Sequence, residues 1–318
     1  MKQRLSILLV GKGSMGRRYA ETISRQFAFI NLVWVGHREL ESSSIVETIM
    51  NVSKITPKVA GIIVAGPSTQ RRKILKICEK LRVKCLVEKP LSSSTESLEG
   101  LNSQFLRSSV SVGYNLRFLQ AFSILKNMLR NHALGKLLFV EAQAGSALPY
   151  WRRDLELQDS VTSSAALGGG VILELSHELD YLLWFFGEIK INYVELRRLN
   201  EYTIDTEDFG LIVGEVLDKP LLVKLECLAL EPYRKLIISG SRGEVHWDGV
   251  KGTLTHYCLD DEPLVLIDQD WIKDTYTTQL QAFIGWLVDG EKRGLCGFDE
   301  GIDVVRIAEK IKFLGGFE

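Results

Sequence analysis

The strand and glycine-rich turn near the start of the chain limit its fold most strongly. Residues 6–10 form a short apolar run that predicts a buried strand, and Gly-Lys-Gly-Ser-Met-Gly follows at residues 11–16. Met15, Tyr19 and Ile23 then recur at helical spacing. A G-x-G-x-x-G between a strand and a helix is typical of a dinucleotide-binding turn, because its glycines permit a tight turn, close approach of a pyrophosphate and close helix packing.

The candidate cofactor-binding residues lie in this turn and at the ends of the following strands. They are Gly11, Gly13, Ser14, Met15, Gly16, His37, Arg38, Pro67, Glu88 and Lys89. A second predicted strand, residues 31–36, runs into His37-Arg38, where an acidic residue would bind the ribose 2′-hydroxyl of NAD. Arginine at this place suits a 2′-phosphate, so the sequence favours NADP(H) over NAD. The alternatives are that Arg38 is a solvated loop residue, or that Glu39 or Glu41 supplies the acid.

Strands and helices alternate through the rest of the first 115 residues. Apolar runs at 59–65, 83–87 and 110–113 predict strands, and Leu98, Leu101 and Phe105 mark one of the helices between them. The alternation predicts a doubly wound parallel (Rossmann) sheet that binds ligands at the carboxyl ends of its strands. Lys89 follows the fourth strand; by position alone it is equally a surface lysine in a turn or a site residue.

The second half of the chain predicts a different architecture. After a helical segment at 120–132, strand-like runs with short turns indicate an open, mostly antiparallel sheet, and two helices follow at 279–287 and 301–314. We therefore predict a Rossmann domain over 1–118 and an α+β substrate domain over 119–318, with the last helices as candidates for packing back on the first domain. One face of the second sheet is the predicted surface for a homodimer or homotetramer.

A very apolar helix predicted over residues 171–186 carries polar side chains along one side. Glu174, His177 and Tyr181 recur at i, i+3 and i+7, with Asp180 close by. Polar groups on a buried helix need hydrogen-bond partners or a water-filled cleft. The polar stripe makes His177 a candidate catalytic residue and Glu174 and Tyr181 candidate substrate contacts; the alternative, which position alone favours, is that His177 is a satisfied core residue.

Aromatic and basic residues meet just before this helix. Trp151, Arg152 and Arg153 follow a proline turn, and two adjacent arginines suit an anionic ligand such as a phosphate, a pyrophosphate or a carboxylate. The alternative is a solvated arginine pair on the surface.

Composition excludes several classes of protein. The 318 residues carry a net charge of −1, which provides no basic field for nucleic acid and no polybasic patch for a membrane surface. The five cysteines are scattered without a C-x-x-C pair, which argues against zinc or a disulfide framework and predicts no metal. Apolar runs are shorter than a membrane span, so we expect a cytoplasmic protein.

Taken together, the motifs resemble those of the Gfo/Idh/MocA family of NAD(P)-dependent oxidoreductases. The matching segments are AGPS at 65–68, LVEKPLS at 86–92, GYNLRF at 113–118, LPYWR at 148–152 and LGGGVILELSHELDYLLWFFGE at 167–188. The resemblance implies that Lys89 and His177 flank the reacting carbon, that a cis peptide precedes Pro90, and that Tyr114, Asn115 and Arg117 help form the site wall. The last three segments resemble a subgroup associated with bacterial surface-sugar biosynthesis.

The expected reaction transfers a hydride between a nicotinamide and a carbinol or carbonyl carbon of a sugar or sugar nucleotide. Either His177 or Lys89 could transfer the hydroxyl proton, with the other group orienting or polarising the oxygen. The alternatives are glycoside cleavage or epimerisation through transient oxidation by tightly bound NAD, or a non-catalytic dinucleotide-binding regulator. Three departures from the family pattern are Glu174 in place of Asp, altered residues at 156–162, and Arg71 where many relatives have His.

Overall fold

The computed structural model describes residues 5–36, 59–147, 161–199, 205–259 and 261–317. The chain divides into two compact units. Unit 1 comprises Met1–Tyr114 with Tyr276–Ile302, and unit 2 comprises Asn115–Thr275 with Asp303–Glu318. Unit 1 contains the glycine-rich turn, and unit 2 contains the helical segment that carries His177.

The secondary structure of the described residues follows the predicted order. The strands are β1 Leu5–Val10, β2 Ile30–Val35, β3 Val59–Val64, β4 Lys84–Val87, β5 Val110–Val112, β6 Leu137–Gly145, β7 Ile189–Arg197, β8 Phe209–Val216, β9 Lys219–Glu226, β10 Tyr233–Gly240, β11 Gly243–Asp248, β12 Thr253–Tyr257, β13 Leu264–Ile267 and β14 Cys296–Gly297. The α-helices are α1 Ser14–Gln26, α2 Arg71–Leu81, α3 Gln104–Ser109, α4 Gln120–Arg130, α5 Val171–Glu174, α6 Ser176–Phe186, α7 Thr275–Asp289 and α8 Phe298–Leu314.

The sheet of unit 1 has the strand order β14-β5-β4-β3-β1-β2 in the described residues. The first five strands pair in parallel, and the short edge strand β14 is antiparallel to β5. Strand β1 lies between β2 and β3, so the chain reverses its direction of winding beside the glycine-rich turn. Ligands of doubly wound sheets bind at this topological switch point. The predicted doubly wound sheet is confirmed.

Burial explains why the first strand is continuously apolar. Ile7, Leu8, Leu9 and Val10 are at most 1% exposed, as expected for a strand of a parallel sheet covered on both faces. Helix α1 covers one face with its buried residues, which are Gly16, Tyr19, Ala20 and Ile23. The amphipathic spacing of this helix therefore places its glycine against the sheet.

The sheet of unit 2 has the order β13-β12-β11-β10-β6-β9-β8-β7 in the described residues. Its pairs are antiparallel except for β6 with β9, which run parallel. Val140, Ala142 and Ala144 are buried, while the alternate residues of β6 are partly exposed. Helices α5 and α6 contact strands β6 to β9. The predicted open, mostly antiparallel sheet is confirmed.

Two predicted helices differ from the structure. The segment predicted as one helix over 171–186 is broken at Leu175, where the hydrogen bonds change from an i−4 acceptor for Leu175 to an i−3 acceptor for Glu178. The helix marked by Leu98, Leu101 and Phe105 begins only at Gln104, because the Ser103 hydroxyl caps it by accepting from the Leu106 amide at 3.2 Å. Leu98 instead ends a separate 3₁₀ turn, Glu96–Leu98, and Leu101 is a buried loop residue, so their spacing reflects burial rather than one continuous helix.

Candidate active site

The glycine-rich turn of unit 1 is closely packed at two of its three glycines. Gly11 has φ +117°, and a Cβ there would lie 2.6 Å from the Ala65 carbonyl oxygen. A Cβ at Gly16 would lie 2.0 Å from the Gly11 carbonyl oxygen. That oxygen also accepts a hydrogen bond of 2.7 Å from the indole of Trp34. Glycine is therefore required at Gly11 by backbone conformation and by close approach, and at Gly16 by close approach alone.

The middle glycine, Gly13, has open space where the others have backbone. A Cβ at Gly13 would meet nothing within 4 Å, and the same holds for Gly66 in the turn after β3. Helix α1 begins at Ser14 without a side-chain cap and without an acidic residue in its first turn. Its amide groups and partial positive charge suit a phosphate. These residues fit the pyrophosphate of a dinucleotide.

The remaining cofactor candidates of unit 1 surround the same edge of the sheet. Pro67 precedes a 3₁₀ turn, Ser68–Gln70, that leads into α2. The Glu88 amide donates to the Val64 carbonyl at 2.8 Å, which continues the sheet ladder by one residue beyond β4. Lys89 follows, and the peptide bond between it and Pro90 is cis, as the family resemblance implies.

Glu88 lies in a buried polar cluster. Its side chain accepts a hydrogen bond from the Tyr19 hydroxyl at 2.5 Å, and the residue is 7% exposed. Burial raises the pKa of Glu88, while the Tyr19 hydrogen bond and the neighbouring Arg71 and Lys89 oppose that rise. Tyr114, the first predicted wall residue, is fully buried and close enough to Arg71 to affect its pKa.

In unit 2, two predicted wall residues have partners within the fold. The side-chain Nδ2 of Asn115 donates to the Thr275 hydroxyl at 2.6 Å. Arg117 forms a bidentate ion pair with Asp180, with Nη2 2.7 Å from Oδ1 and Nε 3.0 Å from Oδ2. Both side chains are at most 3% exposed. Arg117 therefore connects the turn after Asn115 to helix α6.

The three residues predicted to share one side of a helix lie on two helices. Glu174 is the last residue of α5, and His177 and Tyr181 lie on α6. His177 is 7% exposed and Tyr181 is fully buried, with its ring 5.1 Å from that of Phe122. Burial, followed by the charge of Glu178, raises the pKa of Tyr181. Of the three, Tyr181 lies deepest in the core of unit 2.

Several predicted residues lie outside the part of the chain that the structure describes. These are His37, Arg38, Trp151, Arg152 and Arg153. Their assigned roles remain predictions. Among the described residues, no group of three His, Cys, Asp or Glu side chains is placed to hold a metal ion. The helices of this part of the chain are also too short or too polar to cross a membrane.

Sequence reasoning missed three residues of this region. Trp34 and Tyr19 lie in apolar patterns that indicate packing, and Arg71 was recognised only as a departure from the family pattern. In the structure, their polar atoms hydrogen-bond the glycine turn, Glu88 and the turns after β3 and β4. The Tyr19 hydroxyl and the Trp34 indole nitrogen could have indicated a polar contact, because a buried Tyr or Trp usually finds a hydrogen-bond partner for its polar atom.

The fold and the glycine-rich turn define a two-unit protein with a dinucleotide-binding type of first sheet and an open second sheet. Residues 122–253 match the family model described as the GFO/IDH/MocA C-terminal domain. This match confirms the resemblance to the Gfo/Idh/MocA family that the motifs indicated.

Proteins of known structure or function are similar to this chain, and the solved structures share its fold. Glucose-6-phosphate 3-dehydrogenase of Bacillus subtilis (strain 168) is 23% identical over 229 residues, which are 66% of this chain and 64% of that relative's length. The crystal structure of GenD2 from gentamicin A biosynthesis, in complex with NAD, has a TM-score of 0.77 at 21% identity and covers 99% of this chain and 95% of its own. WlbA dehydrogenase from Bordetella pertussis, in complex with NADH and UDP-GlcNAcA, has a TM-score of 0.76 at 16% identity and covers 99% and 96%.

Proposed function

We propose that this protein is a nicotinamide-dependent oxidoreductase that transfers a hydride to or from a carbinol or carbonyl carbon of a sugar or sugar nucleotide. The main support is the glycine-rich turn, which is filled by backbone at Gly11 and Gly16 and open at Gly13. This pattern suits a pyrophosphate that approaches the middle glycine. The names of the relatives add the chemical class, since they include a sugar-phosphate dehydrogenase and a dehydrogenase in complex with NADH and a UDP-sugar.

A bound nicotinamide would supply the hydride acceptor or donor, and the protein would supply orientation and proton transfer. In the oxidative direction, the alcohol carbon loses a hydride and its hydroxyl loses a proton to a base. We assign the base to His177, because an imidazole titrates near neutral pH. We assign polarisation of the same oxygen to the ammonium of Lys89. In reduction, both transfers reverse and His177 returns the proton.

The proposal extends to the cofactor, the substrate and the assembly. NAD is the cofactor named for GenD2, while Arg38 favours NADP(H), so both are candidates. Trp151, Arg152 and Arg153 suit an anionic substrate, and a role in bacterial surface-polysaccharide biosynthesis follows from the subgroup resemblance. We further propose a homodimer or homotetramer formed through the sheet of unit 2.

The first test measures cofactor binding and turnover. Native mass spectrometry identifies any dinucleotide that remains bound after purification, and fluorescence titration compares NADH with NADPH. Nicotinamide absorbance then follows the reaction of NAD⁺ or NADP⁺ with glucose 6-phosphate and with UDP-GlcNAcA. We expect dinucleotide binding and turnover of a phosphorylated or nucleotide-linked sugar. If neither NADH nor NADPH binds, the proposal is contradicted.

Variants test the assigned roles. We expect Lys89→Met and His177→Asn each to lower kcat by about 10²–10⁴-fold, the usual contribution of a proton-transfer or polarising group. Lys310→Met is the matched control, because Lys310 is exposed on α8. Full activity in either site variant would remove that residue from the mechanism.

The same measurements separate hydride transfer from internal recycling of the cofactor. Glycoside cleavage or epimerisation by transient oxidation would use tightly bound NAD that returns to its initial redox state in each turnover. That mechanism predicts product formation without a net change in nicotinamide absorbance. A regulator that performs no chemistry would bind the dinucleotide but would show neither product formation nor a change in nicotinamide absorbance.

A further inference from the structure

Three buried polar side chains of unit 1 form a cluster beside the backbone of Lys89, which Arg71 and Glu88 contact directly and Tyr19 supports through Glu88. We name Tyr19, Arg71 and Glu88 the Lys89 clamp. They are at most 7% exposed. Tyr19 comes from α1, Arg71 from the first turn of α2, and Glu88 from the end of β4. The clamp therefore joins three elements at the edge of the sheet that carries the glycine-rich turn.

Both backbone polar groups of Lys89 are hydrogen-bonded by the clamp. The Lys89 amide donates to Oε2 of Glu88 at 3.2 Å, and its carbonyl oxygen accepts from Nη2 of Arg71 at 3.3 Å. Hydrogen bonds of this length are individually weak, but a charged partner strengthens each of them. The backbone of Lys89 is thus held from two sides by buried ionisable groups.

Arg71 also connects the Lys89 turn to the turn after β3. The same Nη2 atom donates to the Gly66 carbonyl at 3.2 Å. Nε and Nη1 of Arg71 are buried and have no hydrogen-bond partner among the described residues. In that part of the chain, the hydrogen bonds of the guanidinium therefore go only to the two turn carbonyls. An arginine that served only as an ion-pair partner would instead direct its paired donors at a carboxylate.

The charges of the clamp balance each other. Burial lowers the pKa of Arg71 to about 10, and Glu88 is the largest opposing influence, so the guanidinium remains charged at neutral pH. The Tyr19 hydroxyl donates to the second oxygen of Glu88. Buried charges of this kind are often replaceable by apolar residues without loss of stability. Stability alone therefore does not explain these buried charges, whereas their hydrogen bonds to the Lys89 backbone point to a positioning role.

We propose that Arg71, together with Glu88 and Tyr19, is a positioning residue that holds the backbone of Lys89 against the turn after β3. The expected effect of Arg71 on turnover rests on the proposed function. The geometric part, that Arg71 determines the placement of Lys89, stands independently of any reaction.

The test compares Arg71→Met with Arg72→Met. The control removes the same charge from the same helix, and Arg72 likewise donates to a backbone carbonyl, that of Ser97 at 2.7 Å. Trace acetylation followed by peptide mass spectrometry measures the reaction rate of each lysine amine without a substrate. We expect the Lys89 rate, relative to that of Lys12, to change by at least about threefold in Arg71→Met and to remain constant in Arg72→Met. Equal Lys89 rates in the two variants would overturn the proposal.

Kinetics with the sugar substrate found by the turnover assay provide a second measurement. We expect Arg71→Met to lower kcat by about tenfold or more with little change in KM, because a displacement of about 1 Å costs up to ~10²-fold. Arg71→Lys should recover much of the loss, since an ammonium can donate to both carbonyls. A KM effect alone, or no recovery by lysine, would contradict positioning.

A second variant tests the clamp if Arg71→Met is unfolded, and the acetylation assay does not depend on the proposed function. If Arg71→Met does not fold, Tyr19→Phe loosens the clamp from the opposite side by removing one hydroxyl, and the same acetylation result is expected. If the unsubstituted protein binds no dinucleotide and turns over no sugar, the proposed function fails. The acetylation comparison still decides whether Arg71 positions Lys89.

Discussion

Replacing the glycines of the N-terminal turn one at a time separates folding from cofactor binding. In Gly16→Ala, the new Cβ would lie 2.0 Å from the Gly11 carbonyl oxygen, whereas ordinary contacts begin at 3.4 Å. The difference, 3.4 − 2.0 = 1.4 Å, is the distance by which α1 or the turn must move. The turn cannot move freely, because Trp34 binds the Gly11 oxygen at 2.7 Å and the Gly11 amide donates to Val35 at 2.9 Å.

The magnitude follows from two opposing effects. Overpacking costs about 1–3 kcal/mol, and a clash with a backbone oxygen that cannot move freely lies in the upper part of that range, at about 2–3 kcal/mol. Alanine is better than glycine inside a helix by about 1 kcal/mol, which offsets part of that cost. We expect Gly16→Ala to lose about 1–2 kcal/mol in the free energy of unfolding, measured by urea titration with tryptophan fluorescence. NADH affinity should fall as well, because the start of α1 is displaced.

Gly13→Ala is the matched control. Gly13 has φ −73°, which alanine adopts without strain, and its Cβ would enter open space. The free energy of unfolding should change by less than about 0.5 kcal/mol, since the loss of a glycine N-cap is offset by the stiffer unfolded chain. NADH affinity should nevertheless fall by about tenfold or more, because the methyl group fills the space for the pyrophosphate.

Two results would refute this reasoning. Gly16→Ala with unchanged stability would mean that helix and turn do not approach as closely as the structure indicates. Gly13→Ala with unchanged stability and unchanged NADH affinity would mean that the open space at Gly13 is not where a dinucleotide binds.

Three further predictions concern unit 2. Arg117→Met leaves the buried Asp180 carboxylate without its bidentate partner; urea titration should show a loss of about 3–5 kcal/mol, and the double variant with Asp180→Leu should recover most of it. Burial raises the pKa of Glu207 in the folded protein above its value in the unfolded chain. The folded protein is therefore favoured fully at pH values below the unfolded-state pKa, and this advantage is lost as pH rises through the folded-state pKa. The stability of Glu207→Gln relative to the unsubstituted protein should therefore increase as pH rises through that window, and thermal midpoints that keep a constant difference would contradict this. Native mass spectrometry should show a homo-oligomer. Val213→Asp, which places a charge on the exposed face of β8, should shift the oligomer towards monomer, whereas the control Phe29→Asp, at another exposed apolar residue, should leave the oligomer intact.

The sequence predicted well wherever a pattern is local. The apolar run of β1, the glycine spacing and the alternation of strands and helices each depend on neighbouring residues, and they correctly indicated the doubly wound sheet. The alternating runs after residue 188 likewise indicated the second, mostly antiparallel sheet. The resemblance to a family followed from short motifs in the right order, and the cis peptide that it implied before Pro90 is present.

The prediction of helix boundaries was weaker for a physical reason. Leu98 and Leu101 have helical spacing and are buried, yet Leu98 ends a short 3₁₀ turn and Leu101 lies in a loop, because burial imposes apolar residues on turns and loops as well as on α-helices. The break at Leu175 likewise has no signal in an apolar segment, since it depends on a change of hydrogen-bond partners within the folded unit.

What the sequence alone determined is the architecture, the resemblance to a family and which residues follow each strand of the first sheet. Only the tertiary structure decided which polar side chains meet. Tyr19 reaches Glu88 across 69 residues, and Arg117 reaches Asp180 across 63. Such pairs depend on strand order and on how each helix packs, and neither is encoded in local spacing. That is why Arg71, a departure from pattern in the sequence, became the hydrogen-bond donor to the Lys89 carbonyl only in the fold.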